Sequence, residues 1–109
     1  MMRLLMLQIL VVSVAGIASA TEADLSVDDR AKLIERGLAA FDRGAALAME
    51  SPAESETAYL ESAHAFQRVV DSGTRNGLLY YNLGNARLKC GQLGQAIANY
   101  RRAESLVPN

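Results

Sequence analysis

Between residues 26 and 107 the chain carries a single proline, Pro52, and its apolar residues recur at steps of three and four. No run of six residues alternates apolar and polar with β-branched enrichment, which is what a half-buried strand requires. This spacing constrains the fold more than any other feature of the sequence, and it leaves helices. Alanine, the strongest helix former, supplies 15 of the last 89 residues. The chain reads as all-α.

Capping and stop signals divide it. Ser26 with Asp29 three positions on is close to a capping box and opens the first helix. Its expected apolar stripe is Ala31, Ile34, Leu38, Phe41, Ala45 and Ala48, with Gly44 inside the helix. Ser51-Pro52-Ala53-Glu54 is a capping box with Pro in the first turn, and it opens the second. That helix carries Tyr59, Ala63, Phe66 and Val70 and stops at Ser72-Gly73. A third starts near Asn76-Gly77, carries Leu79, Leu83, Ala86 and Cys90, and ends at Gly91. A fourth begins near Leu93 with Ala96, Ile97, Tyr100 and Ala103, and Val107-Pro108 closes it. Short turns make two antiparallel hairpins of these four.

The last 33 residues, GLLYYNLGNARLKCGQLGQAIANYRRAESLVPN, have a fixed internal grammar. Tyr80, Leu83-Gly84, Gly91, Leu93, Ala96-Ile97, Tyr100, Ala103 and Pro108 stand at the spacing of the tetratricopeptide repeat, which this segment resembles. The departure is Arg87, where that repeat usually has Tyr. Gly84 and Ala96 would be small where two helices cross closely. The first hairpin resembles a degenerate copy. Gly37 stands for the helix glycine, Gly44 for the turn glycine, and Tyr59 and Phe66 for two large positions. Fifteen residues separate Gly44 from Tyr59 where the repeat has two, so 13 are inserted, with the Ser51 capping box among them. Both helices are expected to be longer by about six residues, roughly 9–10 Å. The first hairpin should then project beyond the second, with Glu50, Glu54 and Glu56 at its tip. The domain reading is residues 1–20 as a signal peptide, 21–75 as the lengthened degenerate hairpin and 76–109 as the repeat.

The opening segment MMRLLMLQILVVSVAGIASA has Arg3, an apolar run over residues 4–14 and the small-residue exit Ala18-Ser19-Ala20. It holds 15 apolar residues of 20, against 40 in the remaining 89. Cleavage after Ala20 would expose Thr21. The rival reading is a retained anchor, since residues 4–20 are an uncharged stretch at the low edge for spanning a bilayer. A buried core helix is the third. An exported chain, periplasmic in a bacterium, follows from the first reading.

With its signal, the repeat segment is similar to exported bacterial proteins of the Bat aerotolerance type, including Gly94 at the start of the fourth helix. That resemblance implies an envelope scaffold working beside membrane-bound von Willebrand-type partners. Members of that group continue into further helices, a membrane segment and an SH3-like domain, so a fragment of a longer protein is an alternative reading.

Little in the sequence suggests chemistry. His64 has no Cys, Asp or second His at ligand spacing, and reads as a surface or half-buried residue. Cys90 is the single cysteine, so it reads as a packed thiol, with an intermolecular disulfide or redox role as the alternative. No phosphate loop is present, and the Asp and Glu residues show no paired arrangement that would assign acid and base roles. The reading is a non-enzyme with no cofactor and no metal. Residues 21–61 hold ten acids and four bases, and residues 62–109 two acids and six bases. Two solvated faces of opposite sign account for that polarity, although it could also steer a partner or drive head-to-tail self-association. The basic half lacks the density of Lys and Arg of a nucleic-acid binder.

The resemblance implies a binding groove lined by the first helix of each hairpin. In this sequence Tyr81, Asn82, Asn85 and Lys89 fall at the groove positions of the repeat. Ile34, Glu35 and Leu38 fall at the matching places of the first hairpin. Without basic residues there, a clamp for a C-terminal carboxylate is incomplete. Two functions remain open: a non-catalytic module that binds a protein segment, or a structural subunit that stacks on a second copy or a membrane complex. Solenoid repeats need about three units for independent stability, and this chain offers two.

Overall fold

The computed structural model describes residues 25–107. The expected signal segment, residues 1–20, and the stop at Pro108 lie outside them. Four helices follow in order: α1 (Val27–Leu47), α2 (Pro52–Asp71), α3 (Gly77–Lys89) and α4 (Leu93–Ser105). The fold is all-α, and consecutive helices pack as two hairpins in a short solenoid.

The caps are local physics. Ser26 accepts the Asp29 N–H at 3.0 Å, and Asn76 accepts that of Leu79 at 3.1 Å. At α2 the expected capping box does not form. Ser51 makes no side-chain cap bond, and Pro52 at the first position starts the helix by its fixed φ and its missing N–H. Gly73 (φ 95°) and Gly91 (φ 77°) end α2 and α3 in the left-handed region that glycine tolerates.

Burial on α1 differs from the expected stripe. Ala31, Leu38, Ala45 and Ala48 are exposed, and Ile34 and Phe41 are half-buried. The buried residues are Leu33, Gly37, Ala40 and Gly44. The reason is close approach. A Cβ built on Gly37 would lie 2.6 Å from the Phe66 ring, and one on Gly44 would lie 2.8 Å from Tyr59. Hydropathy scoring cannot see a glycine as an interface residue, so it picks the neighbouring row.

The α1–α2 crossing repeats every seven residues. Gly37 meets Phe66 and accepts the Ser62 hydroxyl on its carbonyl at 2.7 Å. Seven residues later, Gly44 meets Tyr59 and accepts the Ser55 hydroxyl at 2.6 Å. Antiparallel helices in this register keep one seam over two heptads. Gly44 is therefore a mid-helix contact and not a turn, and α1 runs on to Leu47. The second hairpin has the same crossing once, where a Cβ on Gly84 would lie 2.7 Å from Tyr100. Ala96 takes the place of Ser62 there and is fully buried.

The first hairpin is the longer, with helices of 21 and 20 residues against 13 and 13. At 1.5 Å per residue the excess is about 10–12 Å. Met49, Glu50 and Glu54 are exposed at its tip. Glu56 lies back from the tip, near enough to Cys90 at the end of α3 to act on its thiol.

Between the hairpins, Leu33, Ala63, Phe66 and Val69 pack with Leu79, Leu83 and Ala86, and Ile34, Phe41 and Val70 close the edge. Arg87 is buried beside this core, 9% exposed. Its guanidinium donates to Gln92 at 2.8 Å and to Gln67 at 3.2 Å, and the Gln67 amide in turn donates to Asp71 at 2.9 Å. The chain Gln92–Arg87–Gln67–Asp71 ties the turn before α4, α3 and α2 together and relays the positive charge toward a carboxylate.

Candidate functional site

The α1 and α3 helices lie on the same side of α2, and two clefts separate them. One, of about 50 Å³, is lined by Leu38, Phe41 and Asp42 of α1, by Phe66, and by Asn82 and Asn85 of α3. The other, of about 150 Å³, is lined by Ile34, Phe66, Leu78, Leu79 and Asn82, with Thr74 and Asn76 at its end. Phe66 and Asn82 line both, so the clefts form one interrupted groove with an aromatic floor.

The four residues singled out on α3 separate here. Asn82 and Asn85 are brought together in the groove, one turn apart and both half-buried. Asn85 is partly committed, because its Oδ1 accepts the Tyr100 hydroxyl at 2.6 Å. Its amide N–H groups remain for another acceptor. The Asn82 side-chain amide has no hydrogen-bond partner among the described residues, so both of its ends can bind. Tyr81 faces elsewhere, packed on Tyr100 with ring centroids 5.7 Å apart. Lys89 is exposed at the end of α3 and lines neither cleft. Of the first-hairpin positions, Ile34 and Leu38 line the groove and Glu35 does not.

Sequence reasoning missed Phe41 as a groove wall and Asp42 altogether. The signal existed: the 47-residue offset that carries Gly84 onto Gly37 carries Lys89 onto Asp42. The groove therefore holds a carboxylate and two amides, and no cation lines it. Such a surface suits a segment that offers N–H donors, or a basic side chain, beside an apolar one. It is a poor receptor for a terminal carboxylate.

Tyr81 belongs to a larger depression of about 720 Å³ at the outer side of the second hairpin, lined by Gly77, Leu78, Tyr81, Tyr100, Ala103, Glu104, Leu106 and Val107. Burial pushes the Tyr100 hydroxyl up from its ordinary range, and the neighbouring Tyr81 adds to the shift.

The other candidate groups stand apart. His64 is exposed beside Leu60, Arg36 and Arg68 on the far side of the first hairpin. Cys90 is half-buried and a free thiol. Burial raises its pKa, Arg87 opposes the shift and Glu56 adds to it. A thiol held toward its neutral form is a weak nucleophile at neutral pH. Among the described residues no three His, Cys, Asp or Glu side chains are grouped to hold a metal ion. No described helix is long and apolar enough to cross a membrane. Compared with family models, curated proteins and solved structures, the chain matches none of them.

Proposed function

We propose that this chain is a non-catalytic protein-interaction scaffold of the tetratricopeptide kind, which binds an extended protein segment in the groove between α1 and α3. The supporting observation is the free Asn82 amide set over the Phe66 floor, with Asp42 and Leu38 across the groove. A backbone segment crossing Asn82 gains two directional bonds, and its apolar side chain fills the cleft beside Phe41. Asp42 favours a basic or neutral ligand. The crossing of glycine and aromatic ring in both hairpins supports the repeat reading, since the same contact sets both hairpins at a common spacing. Gly94, part of the Bat-type resemblance, is exposed with nothing within 4 Å of a Cβ built there, and lends that finer reading no packing reason.

The test is selection of random displayed peptides on the immobilised chain. Enriched peptides are expected to carry an apolar residue next to Lys or Arg. Leu38→Glu and Asn82→Ala should each weaken their binding at least about tenfold, the loss expected for one or two buried polar or apolar contacts. Enrichment indifferent to both substitutions would overturn the groove.

The location we infer is the cell envelope, because residues 1–20 have the three-part form of an export signal. Sequencing the N-terminus of the protein recovered from cells should read from Thr21. An intact Met1 would favour the anchor reading.

A further inference from the structure

The second hairpin leaves one face uncovered among the described residues. Leu78, Tyr81 and Leu88 of α3 are 68%, 52% and 45% exposed, and Leu93 and Ile97 of α4 are 58% and 43% exposed. The Tyr81–Tyr100 contact joins the two rows into one surface. Contiguous apolar surface of this kind marks an interaction site.

The fold itself indicates what sort of occupant fits. The Gly84-to-Gly37 offset places Tyr81 and Leu88 on Ile34 and Phe41, and the Tyr100-to-Phe66 offset places Ile97 on Ala63. In the first hairpin those residues are covered by α3, through Leu79, Leu83 and Ala86. On the second hairpin the equivalent face therefore suits an apolar helical surface. A copy stacked head to tail cannot supply one. The same offset places Leu79, Leu83 and Ala86 on Lys32, Arg36 and Ala39, which are all exposed. Two cations would meet the tyrosines and leucines, with their charges losing water.

A two-fold arrangement has no such conflict. The α3 and α4 helices are antiparallel, so Lys89 and Glu104 sit at opposite ends of the apolar face, each about 6–8 Å along its helix from the Gly84–Tyr100 crossing. A two-fold axis lying in that face, across the helices at the crossing, brings Lys89 of each chain to the end of the face that carries Glu104 of the other, with tyrosines and Ile97 between them. Like residues meet near the axis and opposite charges meet at both ends, as a self-complementary interface requires. We propose that this face is the interface of a homodimer in which two copies meet through α3 and α4 about that axis. It meets the groove between α1 and α3 at Leu78, which lines both surfaces.

Sedimentation velocity of the full chain over a range of concentrations tests the proposal. The expected result is a monomer–dimer equilibrium. Ile97→Glu should abolish the dimer with its helical circular dichroism unchanged, because Ile97 is already partly exposed. Glu104→Lys should raise the dissociation midpoint about tenfold, since it opposes two charge pairs at once. Adding Lys89→Glu to Glu104→Lys should restore the original midpoint, which a partner of another kind would not do. A chain that stays monomeric at every concentration overturns the proposal. So does a dimer insensitive to Ile97→Glu, or a Glu104→Lys defect that Lys89→Glu leaves unrepaired.

Discussion

Phe66→Ala is expected to cost about 3–5 kcal/mol, the range for deleting a buried aromatic side chain where the site cannot collapse. Phe66 is 1% exposed, lies over Gly37, and packs with Leu33, Val69, Leu79 and Leu83. It is shared by both hairpins and forms the floor of the groove. A domain of this size is stabilised by roughly 4–12 kcal/mol in all. The substitution should therefore leave a chain that is marginal or unfolded at 25 °C. Urea unfolding followed by far-ultraviolet circular dichroism measures it. A loss below about 1.5 kcal/mol would mean that the ring is not the keystone of the two hairpins. Peptide binding in the groove should disappear with the fold.

Gly37→Ala should also destabilise, against the rule that alanine favours a helix. Propensity alone predicts a gain of about 1 kcal/mol. The new Cβ would stand 2.6–2.9 Å from three carbons of the Phe66 ring. Phe66 is enclosed, so α1 must retreat, which also stretches the Ser62–Gly37 bond of 2.7 Å. Overpacking of this sort costs about 1–3 kcal/mol, so a net loss of about 1 kcal/mol is expected. Two comparisons isolate the cause. Gly84→Ala meets the Tyr100 ring at 2.7 Å, but Tyr100 is only partly buried and can swing outward, so its loss should be smaller. Gly94→Ala meets nothing within 4 Å and should gain up to about 1 kcal/mol. If Gly37→Ala proves more stable than the native chain in urea, the close crossing is not what sets the distance between α1 and α2.

Much of the architecture was legible in the sequence because its signals are local. Ser26 and Asn76 announce caps through side chains that reach a backbone three residues away. Gly73 and Gly91 announce stops through a backbone region that other residues avoid. The length of the first hairpin followed from counting residues between Gly44 and Tyr59. Ser51 misled because Pro52 alone is enough to start α2. The α1 stripe misled for a different reason. Whether Gly37 or Leu38 faces the neighbouring helix depends on the ring that arrives from α2, and hydropathy along α1 contains nothing of that ring.

The candidate site was half legible. Asn82 and Asn85 were found from repeat position, and the structure places them in one groove. Asp42 and Phe41 were not found, since a residue becomes a groove wall only when a second helix lies beside it. Buried Arg87 shows the same limit. Its sequence context marks it only as a departure from a pattern, while its partners are Gln92 in the turn before α4 and Gln67 on α2. By itself the sequence determined helix number, ends and pairing, because caps, stops and spacing act within one or two turns of the chain. The tertiary structure decided which faces meet, which amide stays free and which apolar surface stays uncovered, because those depend on contacts between residues far apart in sequence.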